Sequence, residues 1–311
     1  MTSKNAITDV RGIEVGHAQD EDALTGCTVI LCREGAVAGV DVRGSAPGTR
    51  ETDLLNPINL VEKVHAVVLT GGSAYGLDAA SGVMRYLEEQ NIGYSMGAVK
   101  VPIVPAAVLY DLGLGRADVR PDAAMGYSAA RSASADAPAE GNVGAGTGAS
   151  IGKVLGMDYA MKAGIGTASM DIHGLIIGAI VAVNALGDVI DPGSGIRLAG
   201  LRSGTTLELM QNRTTPSAAA SNTVIGAIAT NAKLTKAQAT KVAQMAQDGL
   251  AQCIRPAHTM FDGDTIFALA TGELDADVFL VGAFAAEIMA QAILRAVKTA
   301  TSAGGLPGLN L

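Results

Sequence analysis

Two stretches of this chain have no polar face. "GLIIGAIVAVNALG", residues 174–187, and "TVIGAIATN", residues 223–231, are apolar at successive positions where a half-exposed strand would alternate. Neighbouring side chains of a strand point to opposite faces, so such segments need cover on both sides. With its continuation the first stretch reads as one strand, "GLIIGAIVAVNALGDVIDP", and further short β-branched runs bounded by Gly, Asp or Asn read as strands too: "TGCTVILC", "AVAGVDVRG", "VHAVVLTGG" and "TIFALATGE". Helical patterns interleave with them. In "TKAQATKVAQMAQDGLAQCI", Thr235 and Gln238 have capping-box spacing, and Val242, Met245, Ala246, Gly249 and Leu250 share one face. "SAYGLDAASGVMRYLEEQ" repeats Leu77, Ala80, Val83, Met84 and Leu87 at helical spacing, and a third helix over roughly 281–303 is apolar nearly all round.

The expected fold is therefore α/β with buried sheet, and 311 residues suffice for one large domain or two intimate ones. The core has to be unusual in make-up. The chain is 49% hydrophobic but only 3% aromatic, with no Trp and 39 Gly, so Ala, Val, Ile, Leu and Met must pack around backbone that glycine lets come close.

A net charge of −8 and a pI near 5.0, with no block of Lys or Arg, exclude a nucleic-acid partner and leave a small amide, peptide or similar molecule. Cys27, Cys32 and Cys253 lack CxxC spacing and read as buried thiols in a reducing compartment. The N-terminal "MTSKNAITDVRGIEVGH" has no apolar signal region, so a cytoplasmic location is expected. The most apolar helix carries Glu287, and no membrane association is expected.

Several motifs fail on inspection. "GTGASIGKV" has Thr147 and Val154 where a phosphate loop needs Gly and Ser or Thr. "TGGSAYGLD" breaks both the dinucleotide fingerprint at Ser73 and the nucleophile elbow at Tyr75. His17, His65, His173 and His258 are scattered and read as structural, and "DGD" at 262–264 is too short for a calcium loop, so neither metal nor cofactor is expected. Two segments resemble linkers, 131–148 and 211–222; the second, with Pro216 and a run of small residues, is expected to be accessible to cleavage.

That second segment runs straight into Thr223, the first residue of an apolar strand. A threonine hydroxyl is a weak nucleophile without a base beside it, and an N-terminal threonine supplies its own α-amine, with a pKa of about 7.7–8.0. Attack of the same hydroxyl on the Asn222 carbonyl would free that terminus. On its residues alone, Thr223 reads as an ordinary residue at a strand start.

"LTGGSAYGLDAASGVMRYLEE", "VPIVPAAVLYDLG", "GNVGAGTGASIGK", "GAIVAVNALGDVIDP", "SNTVIGAIATNAKLTKAQ" and "MFDGDTIFALATG", in that order along nearly the whole chain, resemble the autoprocessing amide hydrolases. That family includes the L-aminopeptidase/D-amidase-esterases, the β-peptidyl aminopeptidases and the nylon-oligomer endohydrolases. The resemblance implies an αββα layered sandwich related to N-terminal-nucleophile hydrolases, and a single domain cut between Asn222 and Thr223 into fragments 1–222 and 223–311. It implies Thr223 as nucleophile, Asp262 and Asp264 as an acidic pair that orients the new amine, Lys153 and Asn184 as oxyanion or hydroxyl partners, and Tyr110 near the site. It also implies a homo-oligomer such as a tetramer of processed protomers.

A solvated turn at 262–264, a packing Lys153, a hydrogen-bonded core Asn184 and a core Tyr110 are the structural alternatives. The aminopeptidase members resemble Ser-x-Glu at the acidic pair, whereas this chain has Asp-Gly-Asp and a threonine nucleophile, as in the nylon-oligomer branch. Cleavage of linear amides such as 6-aminohexanoate oligomers or peptides is therefore expected. An aminopeptidase, an acyltransferase like the similarly folded ornithine acetyltransferases, and a non-catalytic binder of small ligands are the alternatives.

Overall fold

The layering follows from the period-two pattern of the long strands, whose two faces enter different cores. A computed structural model describes residues 3–212 and 222–310. Its main sheet contains β1 (Glu14–Asp20), β2 (Thr25–Val42), β3 (Thr49–Arg50), β4 (Lys63–Thr70), β5 (Ala106–Val108), β6 (Ile165–Ile172), β7 (Leu175–Asn184), β8 (Thr223–Ala232) and β9 (Thr265–Leu274). The order is β6-β7-β8-β9-β2-β4-β5-β3, with β1 paired to β2. Only β8 with β9 and β4 with β5 run parallel.

β2 joins two leaves. Its first part pairs with β1 and β4, and its second part pairs with β9 through Val37–Val42. Between the leaves lie Ile30 of β2, Leu69 of β4, Ile180 and Ala182 of β7, Ile225 and Ala227 of β8, and Phe267 and Leu269 of β9. The opposite faces, Val181 and Val183 of β7, Val224 and Ile228 of β8, and Ile266 of β9, pack on the helices α3 (Lys236–Cys253) and α4 (Val278–Lys298).

The four long helices are α1 (Ala79–Glu89), α2 (Ala123–Ser132), α3 (Lys236–Cys253) and α4 (Val278–Lys298). A third core, with Cys27, Val29 and Leu31 of β2 and Ala66 and Val68 of β4, lies under α1 and α2. Three cores separate four layers, so the architecture is the expected αββα sandwich. Two apolar strand faces in sequence thus became the two faces of one leaf, one on helices and one on the other leaf.

Glycine brings these layers together. A Cβ on Gly39 of β2 would lie 2.2 Å from the Thr240 backbone nitrogen of α3, and one on Gly166 of β6 would lie 2.3 Å from the Ala292 carbonyl of α4. The Thr235 capping box of α3 forms as read, with the Thr235 side chain accepting from the Gln238 backbone. α4 is long and apolar enough to cross a membrane, but its buried residues, from Val281 to Val297, pack on α3 and the sheet.

Three expectations change. The run 174–192 is not one strand: β7 ends at Asn184, and Asp188–Ile190 pairs with Ile254–Arg255 in a separate small sheet. "TGCTVILC" and "AVAGVDVRG" are one 18-residue strand, since the chain passes Gly35 at φ +76 with a register shift against β4 instead of turning back. The segment 131–148 is not a linker: it begins as the end of α2, and Gly141 and Gly144–Gly148 are buried, with Gly141 bridged to Ile165. Small residues there serve close packing. Of the segment 211–222, residues 213–221 lie outside the described residues.

Candidate active site

β8 carries the candidate nucleophile at its head. Thr223 pairs with Asn184 at the end of β7, and the preceding residue, Asn222, forms a parallel bridge with Asp262 just before β9. The central strand of the leaf therefore delivers Thr223 between Asn184 on one side and the Asp262–Gly263–Asp264 segment on the other. All are buried: Thr223 is 5% exposed, Asn184 0%, and Asp262 and Asp264 2% and 1%.

Backbone geometry around the Asn222–Thr223 bond is specific. The Thr223 hydroxyl donates to the Asn222 carbonyl, and the Gly263 amide donates to the same oxygen at 3.1 Å. Gly263 permits this approach, since a Cβ there would sit 3.0 Å from the Thr223 Oγ1 and 2.6 Å from the Ala46 carbonyl. The Asn222 side chain is 2% exposed, and neither its Oδ1 nor its Nδ2 has a hydrogen-bond partner among the described residues.

The two carboxylates have different partners. Asp264 Oδ1 accepts from the Val224 amide at 2.8 Å, which tethers the residue after Thr223. Asp264 Oδ2 accepts from the His258 backbone amide at 3.1 Å and contacts His258 Nδ1 at 2.8 Å. Asp262 turns back to Thr259, accepting from its amide at 2.9 Å and from its hydroxyl. Burial first, and the charge of Asp264 second, push the Asp262 carboxyl above its ordinary value. The solvated turn considered for this segment is thus replaced by a buried, hydrogen-bonded one.

Lys153 and Asn184 form a unit. Lys153 Nζ donates to the Asn184 side-chain oxygen at 2.8 Å and to its carbonyl at 3.1 Å. The same Oδ1 accepts from the Ser150 amide at 3.1 Å, and Asn184 Nδ2 donates to the Tyr110 carbonyl at 3.0 Å. Burial pulls the Lys153 ammonium down to about 7, against the opposing pull of Asp262 and Asp111. It can therefore gain or lose a proton near neutral pH. Tyr110 enters this unit through its carbonyl, while its side chain, 37% exposed, lines a cavity of about 50 Å³ with Asp111, Gly148, Ser150, Lys153 and Met157.

Three contributors escaped the sequence. His258 was grouped with the structural histidines, yet it holds Asp264 while sitting at φ +56, a region that bulky residues rarely enter. Thr259 and Ser150 position Asp262 and Asn184. The "AHT" just ahead of "MFDGD" was the available signal for the first two. No cluster of His, Cys, Asp and Glu among the described residues is arranged to hold a metal ion.

The site thus sets a buried hydroxyl at the head of a central strand, in an αββα sandwich, against the amide carbonyl of the residue before it. A model of Peptidase family S58 matches residues 5–310, and the chain belongs to that family. It is 44% identical to an uncharacterized aminopeptidase of Mycobacterium leprae, over 97% of this chain and 92% of that protein. It is 33% identical to the 6-aminohexanoate-oligomer endohydrolase of a Kocuria species, over 93% of this chain and 85% of that one. In fold it resembles the L-aminopeptidase D-Ala-esterase/amidase of Ochrobactrum anthropi, with a TM-score of 0.74 at 22% identity, covering 97% of this chain and 88% of that one. That structure is described as a variant of the Ntn hydrolase fold. The chain is accordingly a peptidase or amidase.

Proposed function

We propose that this protein is a self-processing amide hydrolase that cuts its own Asn222–Thr223 bond and then uses Thr223 as an N-terminal nucleophile. The observation that carries the proposal is the convergence on one oxygen, the Asn222 carbonyl, of the Thr223 hydroxyl and the Gly263 amide. In the first step Thr223 Oγ1 bonds to the Asn222 carbonyl carbon and the C–N bond to Thr223 breaks. The hydroxyl proton passes to the departing nitrogen, leaving an ester. Water hydrolyses the ester, giving the Asn222 carboxylate and restoring the hydroxyl.

In turnover the free α-amine of Thr223 takes the hydroxyl proton as Oγ1 attacks the substrate amide. The leaving amine then collects that proton, and water releases the acyl group. Asp264 keeps the strand head in place through the Val224 amide. Lys153, anchored on Asn184, supplies a group that exchanges protons near pH 7 one cross-strand pair from the nucleophile. Gly263 N–H and the Asn184–Lys153 unit are the candidates for holding charge on the carbonyl oxygen. The fragments 1–222 and 223–311 stay together, because β8 pairs with β7 and β9 pairs with β2 across the cut. We take the working form to be cytoplasmic, in keeping with three buried free cysteines, and a homo-oligomer, as the family resemblance implies.

For substrate we favour linear amides, 6-aminohexanoate-type oligomers or peptides, cut internally. Release of N-terminal amino acids is the second reading, favoured by 44–45% identity to proteins named aminopeptidases. Hydrolysis of matched amides with free and N-acetylated amines, by wild type and Thr223→Ala, tests both. Loss of all turnover in Thr223→Ala with N-acetylated substrates still cut by wild type is the expected result. Turnover restricted to free amines supports the aminopeptidase, and unchanged turnover in Thr223→Ala overturns the nucleophile.

A further inference from the structure

Asn222 is the odd residue of the site. The residue is only 2% exposed, yet both polar atoms of its side-chain amide lack hydrogen-bond partners among the described residues. Buried amides are normally satisfied, and leaving one orphaned is costly. Asn222 is therefore enclosed without any described residue hydrogen-bonding its side-chain amide.

The chemistry of processing gives those surroundings a second use. The ester formed in self-cleavage joins Thr223 Oγ1 to the Asn222 carbonyl carbon. The ester formed in turnover joins the same oxygen to the acyl carbon of the substrate. The two intermediates differ only in the acyl group, and a carbonyl cradled by Gly263 N–H 3.1 Å away holds that group in one direction. Whatever flanks the Asn222 side chain in the precursor then flanks the first side chain of the substrate's acyl part. Hydrolysis leaves Asn222 as a carboxylate bridged by backbone to Asp262, so a new negative charge forms close to two buried carboxyl groups and is driven outwards.

We propose that the space occupied by the Asn222 side chain is the acyl-side subsite, that processing vacates it, and that it selects amides by the size of the group next to the reacting carbonyl and not by polarity. Groups up to the size of Asn or Leu fit, and ring-bearing groups do not. Because the precursor's acyl donor is an internal residue with chain upstream, the same subsite takes acyl groups whose amine is itself acylated. This proposal rests on the self-processing reading and adds a substrate class to it.

The test compares two series that share one pocket. In the first, Asn222→Ala, Asn222→Leu and Asn222→Phe precursors are followed for processing by denaturing mass. In the second, wild-type enzyme is given N-acetyl-X p-nitroanilides with X equal to Ala, Asn, Leu and Phe, and kcat/KM is measured. The expected result is the same rank order in both, with Leu within about threefold of Asn and Phe slower by about tenfold or more. The second series uses an enzyme of unchanged sequence, so a variant that fails to fold does not decide the outcome. A wild-type preference for Phe, or a wild-type requirement for the Asn amide over Leu of about tenfold, overturns the subsite. A wild-type chain that never separates between residues 222 and 223 removes the self-processing reading itself, an outcome the mass measurement reports apart from the rank orders.

Discussion

Replacing Gly263 by alanine is the smallest change that separates the carbonyl cradle from the nucleophile. The new methyl carbon would start 2.6 Å from the Ala46 carbonyl, 3.0 Å from Thr223 Oγ1 and 3.1 Å from the Pro47 Cα. Two of the three neighbours are backbone and cannot rotate away. Ordinary carbon contacts begin near about 3.5 Å, so the segment has to retreat by roughly half an ångström or more. Such overpacking costs about 1–3 kcal/mol of stability. The same retreat stretches the 3.1 Å bond from Gly263 N–H to the Asn222 oxygen, and loss of one donor to a developing oxyanion lowers rates by about 10²–10³. The assay is the time course of fragment appearance by denaturing mass, with thermal unfolding of the same preparation. A folded Gly263→Ala chain that processes within about threefold of wild type would refute the role given to this amide.

Lys153→Met removes a buried group that sheds its proton at about 7 instead of 10.5. Between those two pH values the unfolded chain binds a proton that the folded chain lacks, so this lysine adds stability that is full above 10.5 and lost as pH falls through 7. Measured by denaturant unfolding in a Thr223→Ala background, wild-type Lys153 should gain on the Met variant by roughly 1 kcal/mol per pH unit from pH 7 to 9; parallel pH curves would contradict the burial of a proton-shedding lysine. His258→Ala should slow processing and kcat by about 10- to 100-fold, the worth of a hydrogen bond to a charged group, while His258→Asn, which keeps a donor and tolerates positive φ, should recover most of the rate without a change in KM. Equal rates for Ala and Asn would make His258 a packing residue.

Layers were legible in the sequence because strands β7 and β8 are apolar on both faces, and the structure fills those faces with two separate cores. α3 was legible from a capping box and a five-residue stripe. The joining of two runs into β2 was not, since Arg33-Glu34-Gly35 has the composition of a turn, and only pairing with β4 and β9 keeps the chain extended through it. β1, β6 and α2 passed unread because their alternation or stripe is weak; α2 relies on glycine contacts such as Gly126 against the Ala79 carbonyl. At the site, Asp262, Asp264, Lys153, Asn184 and Thr223 were named from the resemblance, and strand pairing brings them together. Which carboxylate does what was beyond a spacing rule. Asp262 and Asp264 are two apart, but one faces Thr259 and the other spans Val224 and His258, a division set by the turn before β9. His258 shows the limit most clearly, because its place just ahead of "MFDGD" was a weak signal and it acquires its partner only when the chain folds back on Asp264.

The central claim is that Thr223 becomes an N-terminus by its own action, and denatured mass of freshly purified wild type beside Thr223→Ala tests it most directly. The account predicts that wild type yields fragments 1–222 and 223–311 while the variant remains a single chain of 311 residues. Two intact chains after prolonged incubation of folded protein would contradict it, and would return Thr223 to the role of the first residue of β8.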